Sequence, residues 1–383
     1  MKRTDVSQPK KDEPAGKSIG KIPIGTRPKR RPGFLGRENL MDYEEKRVYV
    51  APKTSVLPPW LLPMLAFAAF AALIFWILPN QLSDPPEPTV EPGAAIAETE
   101  ENIVVVQVLA ADIFDSPFMR GKRLTQALYN EALTIRSTTS PNHLGVELAD
   151  GTRGYVLRSD VSADTSSIIA APNRLKVIVR DSVKSVMSAA SSGTQVAEIP
   201  MGSVLYSDYS SDQVMRLILP TGDYGWITKD GVFVMESDDD LPLPDNFTQS
   251  FCSSAMAFLN ARWMPAGQTL TGVSPEGIAR IAGLLNGVQL PYTMEKMADA
   301  GHEVTLPVNS ESGEYDLRYL RAGDLVFFHV PDDPDKIASL SICMPERQWL
   351  GTTASRASIQ LTSIADDREL ASRIYRVVRL TDD

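Results

Sequence analysis

Side chains able to do covalent or metal chemistry are scarce in this chain. Its 383 residues include only two cysteines, Cys252 and Cys343, and three histidines, His143, His302 and His329. Zinc sites are built mainly on clustered cysteine and histidine, and residues so few and so scattered do not make such a cluster, so no metal site is expected. The aspartates at 238–240 do not follow a calcium-loop pattern. There is also no phosphate-binding glycine loop, no GxGxxG after a strand and no serine elbow. Nucleotide-dependent chemistry drops out with them, and no cofactor is expected.

Charge of one sign is missing locally. Residues 1–59 carry 14 Lys and Arg against 7 Asp and Glu, whereas residues 60–383 carry 24 against 41. An acidic bulk repels polyanions, which excludes nucleic acid as a partner. The boundary between the two halves is a stretch with no charge at all, WLLPMLAFAAFAALIFWIL, residues 60–78. Nineteen apolar residues with Trp60 and Trp76 near the two ends predict a single helix through a lipid bilayer. Pro63 falls in its first turn, where a missing N–H costs little. Lys29, Arg30, Arg31, Arg37, Lys46, Arg47 and Lys53 precede the span, and no basic residue follows until Arg120. The expected orientation is therefore an N-terminus in the cytoplasm and the bulk outside. A 59-residue basic lead is too long for a cleaved signal peptide.

The expected organisation follows in order. Residues 1–59 read as a basic, largely disordered tail, 60–78 as the membrane helix, and 79–100 as an extended spacer rich in Pro and Glu. With 43% hydrophobic residues, the remainder can fill two or three globular units. From Ile103 the pattern is all-β and it repeats: Leu148, Gly151, Gly154, Tyr155 and Val156 correspond to Leu219, Gly222, Gly225, Trp226 and Ile227, each pair 71 residues apart. Strands around a glycine turn, closed by Gly-aromatic-aliphatic, predict two small barrels, at 101–165 and 172–235. The acidic, Pro-containing stretch 236–246 is a linker, and 247–383 is the last domain. Its end, residues 367–380, carries Arg368, Arg373, Arg376 and Arg379 and reads as a closing element with its basic residues on the solvated side.

The repeat resembles a pair of bacterial SH3-like domains, most specifically in Asp150-Gly151-Thr152-Arg153-Gly154-Tyr155-Val156. In that family such modules often precede a peptidase domain and bind, or narrow access to, peptidoglycan stems. The resemblance implies that role here, with Tyr155 and Trp226 open to either ligand contact or core packing.

Residues 258–291, FLNARWMPAGQTLTGVSPEGIARIAGLLNGVQLP, organise the last domain. Pro265, Gly267 and Gly272 break regular structure, then Ile278, Ile281, Leu284 and Leu285 recur at helical spacing after Pro275, with Gly287 where a C-cap would sit. A loop therefore feeds a short helix, followed by an extended Leu-Pro step. This segment resembles the NlpC family of papain-like cell-wall cysteine peptidases: Phe258, Leu259, Gly267, Thr269, Gly272, Gly277, Gly287, Val288, Leu290 and Pro291 match that family's framework without a gap. LRAGDLVFF, residues 320–328, is similar to its Gly-Asp-Leu-Val-Phe-Phe strand.

The chemistry departs from that framework. The family's Asp position reads Ser274, the nucleophilic Cys position Pro275 and the next position Glu276; the general base reads Ser339, and the residue that orients it falls near Gly351. Proline has no nucleophile, and a hydroxyl cannot take a thiol proton at neutral pH. The resemblance thus implies a degenerate α+β papain-like domain, leaning away from an enzyme. Its groove residues would include Trp263, Gly267, Glu276 and Gly277, beside Tyr155 and Trp226 of the modules. The expected partners are peptidoglycan stem peptides, or a protein of cell-wall hydrolysis or synthesis, with the bilayer held by residues 60–78. The alternative is an active γ-D-glutamyl-diamino-acid endopeptidase that uses Cys252, in SFCSSAM, as nucleophile. On the first reading Cys252 is a small buried hydrophobe on a helix, Cys343 a core strand residue, and His329 a loop residue after its strand.

Overall fold

The computed structural model describes residues 102–118, 120–311, 313–352 and 357–381, together with Met64. Apart from Met64, the tail, the apolar run 60–78 and the spacer lie outside the described residues. Among the described residues no helix is long and apolar enough to cross a membrane.

The first module is built from β1 (Ile103–Val106), β2 (Ala110–Phe114), β3 (Arg123–Leu128), β4 (Ala132–Ser137), β5 (His143–Glu147), β6 (Arg153–Leu157) and β7 (Val161–Ser162). They pair in the order β3-β2-β6-β5-β4-β1-β7. The second uses β8 (Leu175–Val179), β9 (Val183–Met187), β10 (Gln195–Pro200), β11 (Val204–Ser210), β12 (Val214–Ile218), β13 (Tyr224–Thr228) and β14 (Val232–Glu236). Its order is β10-β9-β13-β12-β11-β8-β14, the same topology shifted by seven strands. Alternate residues such as Ile113, Leu133, Val146 and Val156 make the first module's core, and Val177, Leu205, Leu217 and Ile227 make the second's.

The repeated glycines have a packing reason. Gly151 and Gly222 sit in the turns with φ of +77° and +82°, a region that side chains with a Cβ avoid. At Gly154 a Cβ would lie 2.5 Å from Ile113, and at Gly225 it would lie 2.2 Å from Val186. These positions let β6 and β13 cross close over β2 and β9. The barrels expected from the repeat are not closed, however. Ladder pairing between β2 and β6 is limited to Phe114 and Tyr155, and that between β13 and β9 to Trp226 and Met187. Among the described residues no pairing joins the outer strands β3 and β7, since β7 is only two residues long.

The last domain opens with helix α1 (Phe247–Met256), a hairpin of β15 (Gln268–Thr269) and β16 (Gly272–Val273), helix α2 (Pro275–Leu284) and a single turn α3 (Met294–Met297). A mixed-length antiparallel sheet follows: β17 (His302–Glu303), β18 (Leu325–Val330), β19 (Asp333–Met344), β20 (Gln348–Gly351), β21 (Gln360–Ser363), the turn α4 (Arg368–Ala371) and β22 (Ile374–Arg379). The sheet order is β17-β22-β18-β19-β20-β21. Every residue of α2 from Pro275 to Gly283 is buried, so this helix is the centre of the domain rather than an amphipathic cover. Ile278 and Ile281 share one core with Phe251 of α1, Phe327 of β18, and Leu128 and Ile178 of the two modules.

Two expectations are corrected here. His329 lies within β18, not after it, because that strand runs on through Val330. The C-terminal arginines do not all face water, because β22 sits inside the sheet between β17 and β18. Arg379 donates to both oxygens of the fully buried Asp324, at 2.7 and 2.8 Å. A buried carboxylate needs such a partner.

The first module is clamped onto this domain by polar contacts. Gln268 donates its amide N–H to Gln126 at 2.9 Å and its side-chain amide to Thr125 at 3.0 Å. Asp150 and Thr152, from the most specific repeat motif, take the Tyr292 N–H and the Lys296 ammonium. That motif is spent on docking within the chain.

Candidate functional site

Several separate stretches of the chain meet at a cleft of about 290 Å³. The start of α2 contributes Ser274, Pro275 and Glu276, and the middle of β19 contributes Ala338, Ser339 and Leu340. The loop before the hairpin adds Trp263, Pro265 and Ala266. Ser274 and Pro275 therefore share one cavity with Ser339, which is far from them in sequence. Gly351 is not in the lining; it packs against Ser341, whose Oγ would lie 2.6 Å from a Cβ there, and its neighbour Thr352 faces the cleft instead.

Ser274 is the N-cap of α2. Its buried hydroxyl donates to the Gly267 carbonyl at 3.2 Å and accepts the Gly277 N–H at 3.4 Å, so it is used by the fold. Pro275 occupies the first helical position, where its fixed φ suits the helix and its missing N–H removes one donor from the helix start. Glu276 is nearly fully buried. Burial pushes its carboxyl above the usual range, Glu295 adds to the rise, and the amides of Glu276 and Ala266 and the Ser274 hydroxyl oppose it. Trp263 is partly exposed on the rim. Gly267 and Gly277 do not offer a surface to a ligand. A Cβ on Gly277 would lie 2.1 Å from the Gly267 carbonyl oxygen, so the two glycines let the loop lie against the helix.

Tyr155 and Trp226 do not line the cleft. Tyr155 pairs across the first sheet with Phe114 and Gly145, and Trp226 across the second with Arg216 and Met187. Sequence reasoning missed Thr352, Thr293 and Glu295, and also Lys122 and Arg123 of the first module, all of which line the cavity. Arg123 is held by Asp112 at 2.9 Å and donates to the Pro265 carbonyl at 3.1 Å. The sequence signals near these residues are the Leu-Pro step at 290–291, just before Thr293, and Gly351, next to Thr352.

No cysteine or histidine lines this cleft among the described residues. Cys252 is buried on α1 and borders a different pocket of about 740 Å³, with Met256, Met344 and Leu361 and no histidine. Its thiol points at the Cys343 carbonyl, 4.0 Å away, and burial pushes its pKa to about 11. His329 spends Nδ1 on the Val330 carbonyl at 2.7 Å, and His302 is exposed on β17. Among the described residues no group of three or more His, Cys, Asp or Glu could hold a metal. The cleft can bind a ligand between an apolar wall and charged rims; it holds no thiol and imidazole to pass a proton between.

No family model matches the chain. It is 21% identical over 232 residues to dipeptidyl-peptidase 6 of Lysinibacillus sphaericus, a match that covers 59% of this chain and 81% of that protein. A NlpC/P60 family protein from Bacillus cereus superposes with a TM-score of 0.61 at 14% identity, over 73% of this chain and 99% of its own. The fold is that of the NlpC/P60 proteins. A NlpC/P60 endopeptidase from Photobacterium damselae gives a TM-score of 0.52 at 11% identity, over 74% of each chain.

Proposed function

We propose that the chain is a membrane-anchored, extracytoplasmic protein that binds peptidoglycan stem peptides, or a protein acting on them, through a NlpC-type cleft that has lost its Cys/His pair. The lining of the cleft carries this reading: Pro275 stands at the start of α2 and Ser339 faces it from β19, where a nucleophile and a base would be needed. Pro275 also lacks the N–H that would help hold an oxyanion. The two β modules are SH3-like, the first fixing one wall of the cleft, and residues 60–78 hold the protein to the membrane with its N-terminus in the cytoplasm. The NlpC/P60 fold and the dipeptidyl-peptidase relative support a cell-wall peptide as the ligand class.

The test is to incubate the full-length chain with purified peptidoglycan and follow both sedimentation and released stem peptides by mass spectrometry, with Cys252→Ala as control. The expected result is co-sedimentation without release, weakened by Ser339→Arg in the cleft. Release that disappears in Cys252→Ala would make Cys252 the nucleophile and overturn the proposal.

A further inference from the structure

The second module carries a group of rings on its outer face that its own packing does not require. Tyr209 on β11, Arg216 on β12 and Trp226 on β13 stand directly opposite one another across three neighbouring strands, so all three project from the same face. Tyr224 lies two residues before Trp226 and shares that face. Tyr209 and Trp226 meet edge to face with centroids 5.7 Å apart, and the Arg216 guanidinium lies 4.6 Å from the Tyr224 ring and 6.0 Å from that of Trp226. Tyr209 and Tyr224 are nonetheless 50% and 53% exposed. Aromatic side chains are usually used to bury area, so two half-exposed rings held in a fixed row are surface kept for contact.

The charge of the patch narrows that contact. Arg216 gives its Nε and one Nη2 hydrogen to the two carboxylate oxygens of Asp208, each at 2.9 Å. The pair is neutral, fixes the guanidinium plane, and leaves the Nη1 hydrogens free to donate. A ligand for this face therefore needs apolar flat surfaces for the rings and hydroxyl or carbonyl groups at the edge for the guanidinium and carboxylate, with no net charge of its own. The acidic residues of the chain outside its tail, 41 against 24 basic in residues 60–383, disfavour an anionic polymer.

We propose that this face of the second module is a carbohydrate platform, on which the C–H faces of uncharged sugar rings stack against Tyr209, Trp226 and Tyr224 while their hydroxyls bond Arg216 and Asp208. C–H groups carry the positive polarisation that the negative face of an aromatic ring attracts. None of these residues lines the peptide cleft, so the platform is independent of the reading given above.

The test is calorimetric titration of the full-length chain, in a detergent without a sugar headgroup, with the β-1,4-linked tetramer of N-acetylglucosamine. Binding is expected, and Tyr209→Ala and Tyr224→Ala, both at exposed positions, are each expected to weaken it at least tenfold with an unchanged urea midpoint. Trp263→Ala, in the cleft, is expected to leave it unchanged. Absence of binding, or equal affinity in the tyrosine variants, would overturn the proposal. So would variants that lose a stem peptide while keeping the sugar, because the face would then be a peptide site.

Discussion

The guanidinium of Arg280 lies 3.8 Å from the centre of the Tyr292 ring, buried where the first module meets the last domain. Its Nη1 donates to Gln268 at 3.1 Å and its Nη2 to Glu131 at 3.4 Å, while the Tyr292 hydroxyl donates to the same Glu131 carboxylate. Burial works against the charge on Arg280, but Tyr292 and Glu131 outweigh it and keep the guanidinium protonated. Burial also pushes the Tyr292 hydroxyl far above its ordinary range, so it remains a donor. A largely buried cluster of this kind is stable only while it is complete.

Glu131→Gln therefore leaves a buried cation without its counter-charge. The expected loss is about 3–5 kcal/mol, read from urea unfolding. Replacing Glu131 and Arg280 together by Leu and Met should lose much less, because no orphaned charge remains. If the single variant were as stable as the native chain, the ion pair would have no structural role.

Gly277→Ala should destabilise the chain although Ala is the better helix former. The new Cβ falls 2.1 Å from the Gly267 backbone oxygen, and backbone cannot rotate away. Overpacking of this kind costs about 1–3 kcal/mol, more than the gain in helix propensity of up to ~1 kcal/mol. A lower thermal midpoint, with altered Trp263 fluorescence from the displaced loop, is the expected outcome.

The two thiols should resist alkylation in the folded chain. Burial raises Cys252 to about 11 and Cys343 to about 12, and only the thiolate is nucleophilic. Iodoacetamide at pH 7.5 should label neither until urea is added, and native labelling should rise steeply only toward pH 11. Fast labelling of Cys252 at neutral pH would mark an activated nucleophile.

Glu276 sets a pH dependence of a stated sign. Its folded carboxyl titrates above the ordinary value of 4.5, so over that interval the folded state holds more protons than the unfolded one. Stability from this group is present below pH 4.5 and falls as pH rises through the folded value. Glu276→Gln should match the native chain below pH 4.5 and become the more stable of the two above it. Urea midpoints measured from pH 4 to 8 would reveal the divergence, and parallel curves would rule it out.

Much of the local structure was legible in the residues. The cap Ser274, Pro275 at the first helical position and the apolar spacing after it are local signals, and they describe α2 as it stands. The 71-residue repeat reappears as two sheets of identical strand order, because the same glycines recur at the turns and where β6 and β13 cross β2 and β9. The burial of Cys252 on a helix and Cys343 on a strand also follows from neighbouring apolar residues.

Other features had no local trace. Closure of the modules depends on whether distant strand edges meet, and the reach of β18 past His329 depends on the partner strands on either side of it. The wall of the cleft formed by Lys122 and Arg123, the facing of Thr352 in place of Gly351, and the burial of Arg379 against Asp324 all join residues separated by tens to more than a hundred positions. By itself the sequence determined the elements and the repeat, since each is a matter of residue type and short-range sterics. Only the tertiary structure decided which side chains share a cavity and which charges are buried together, because those depend on packing between segments whose spacing along the chain says nothing of their distance in space.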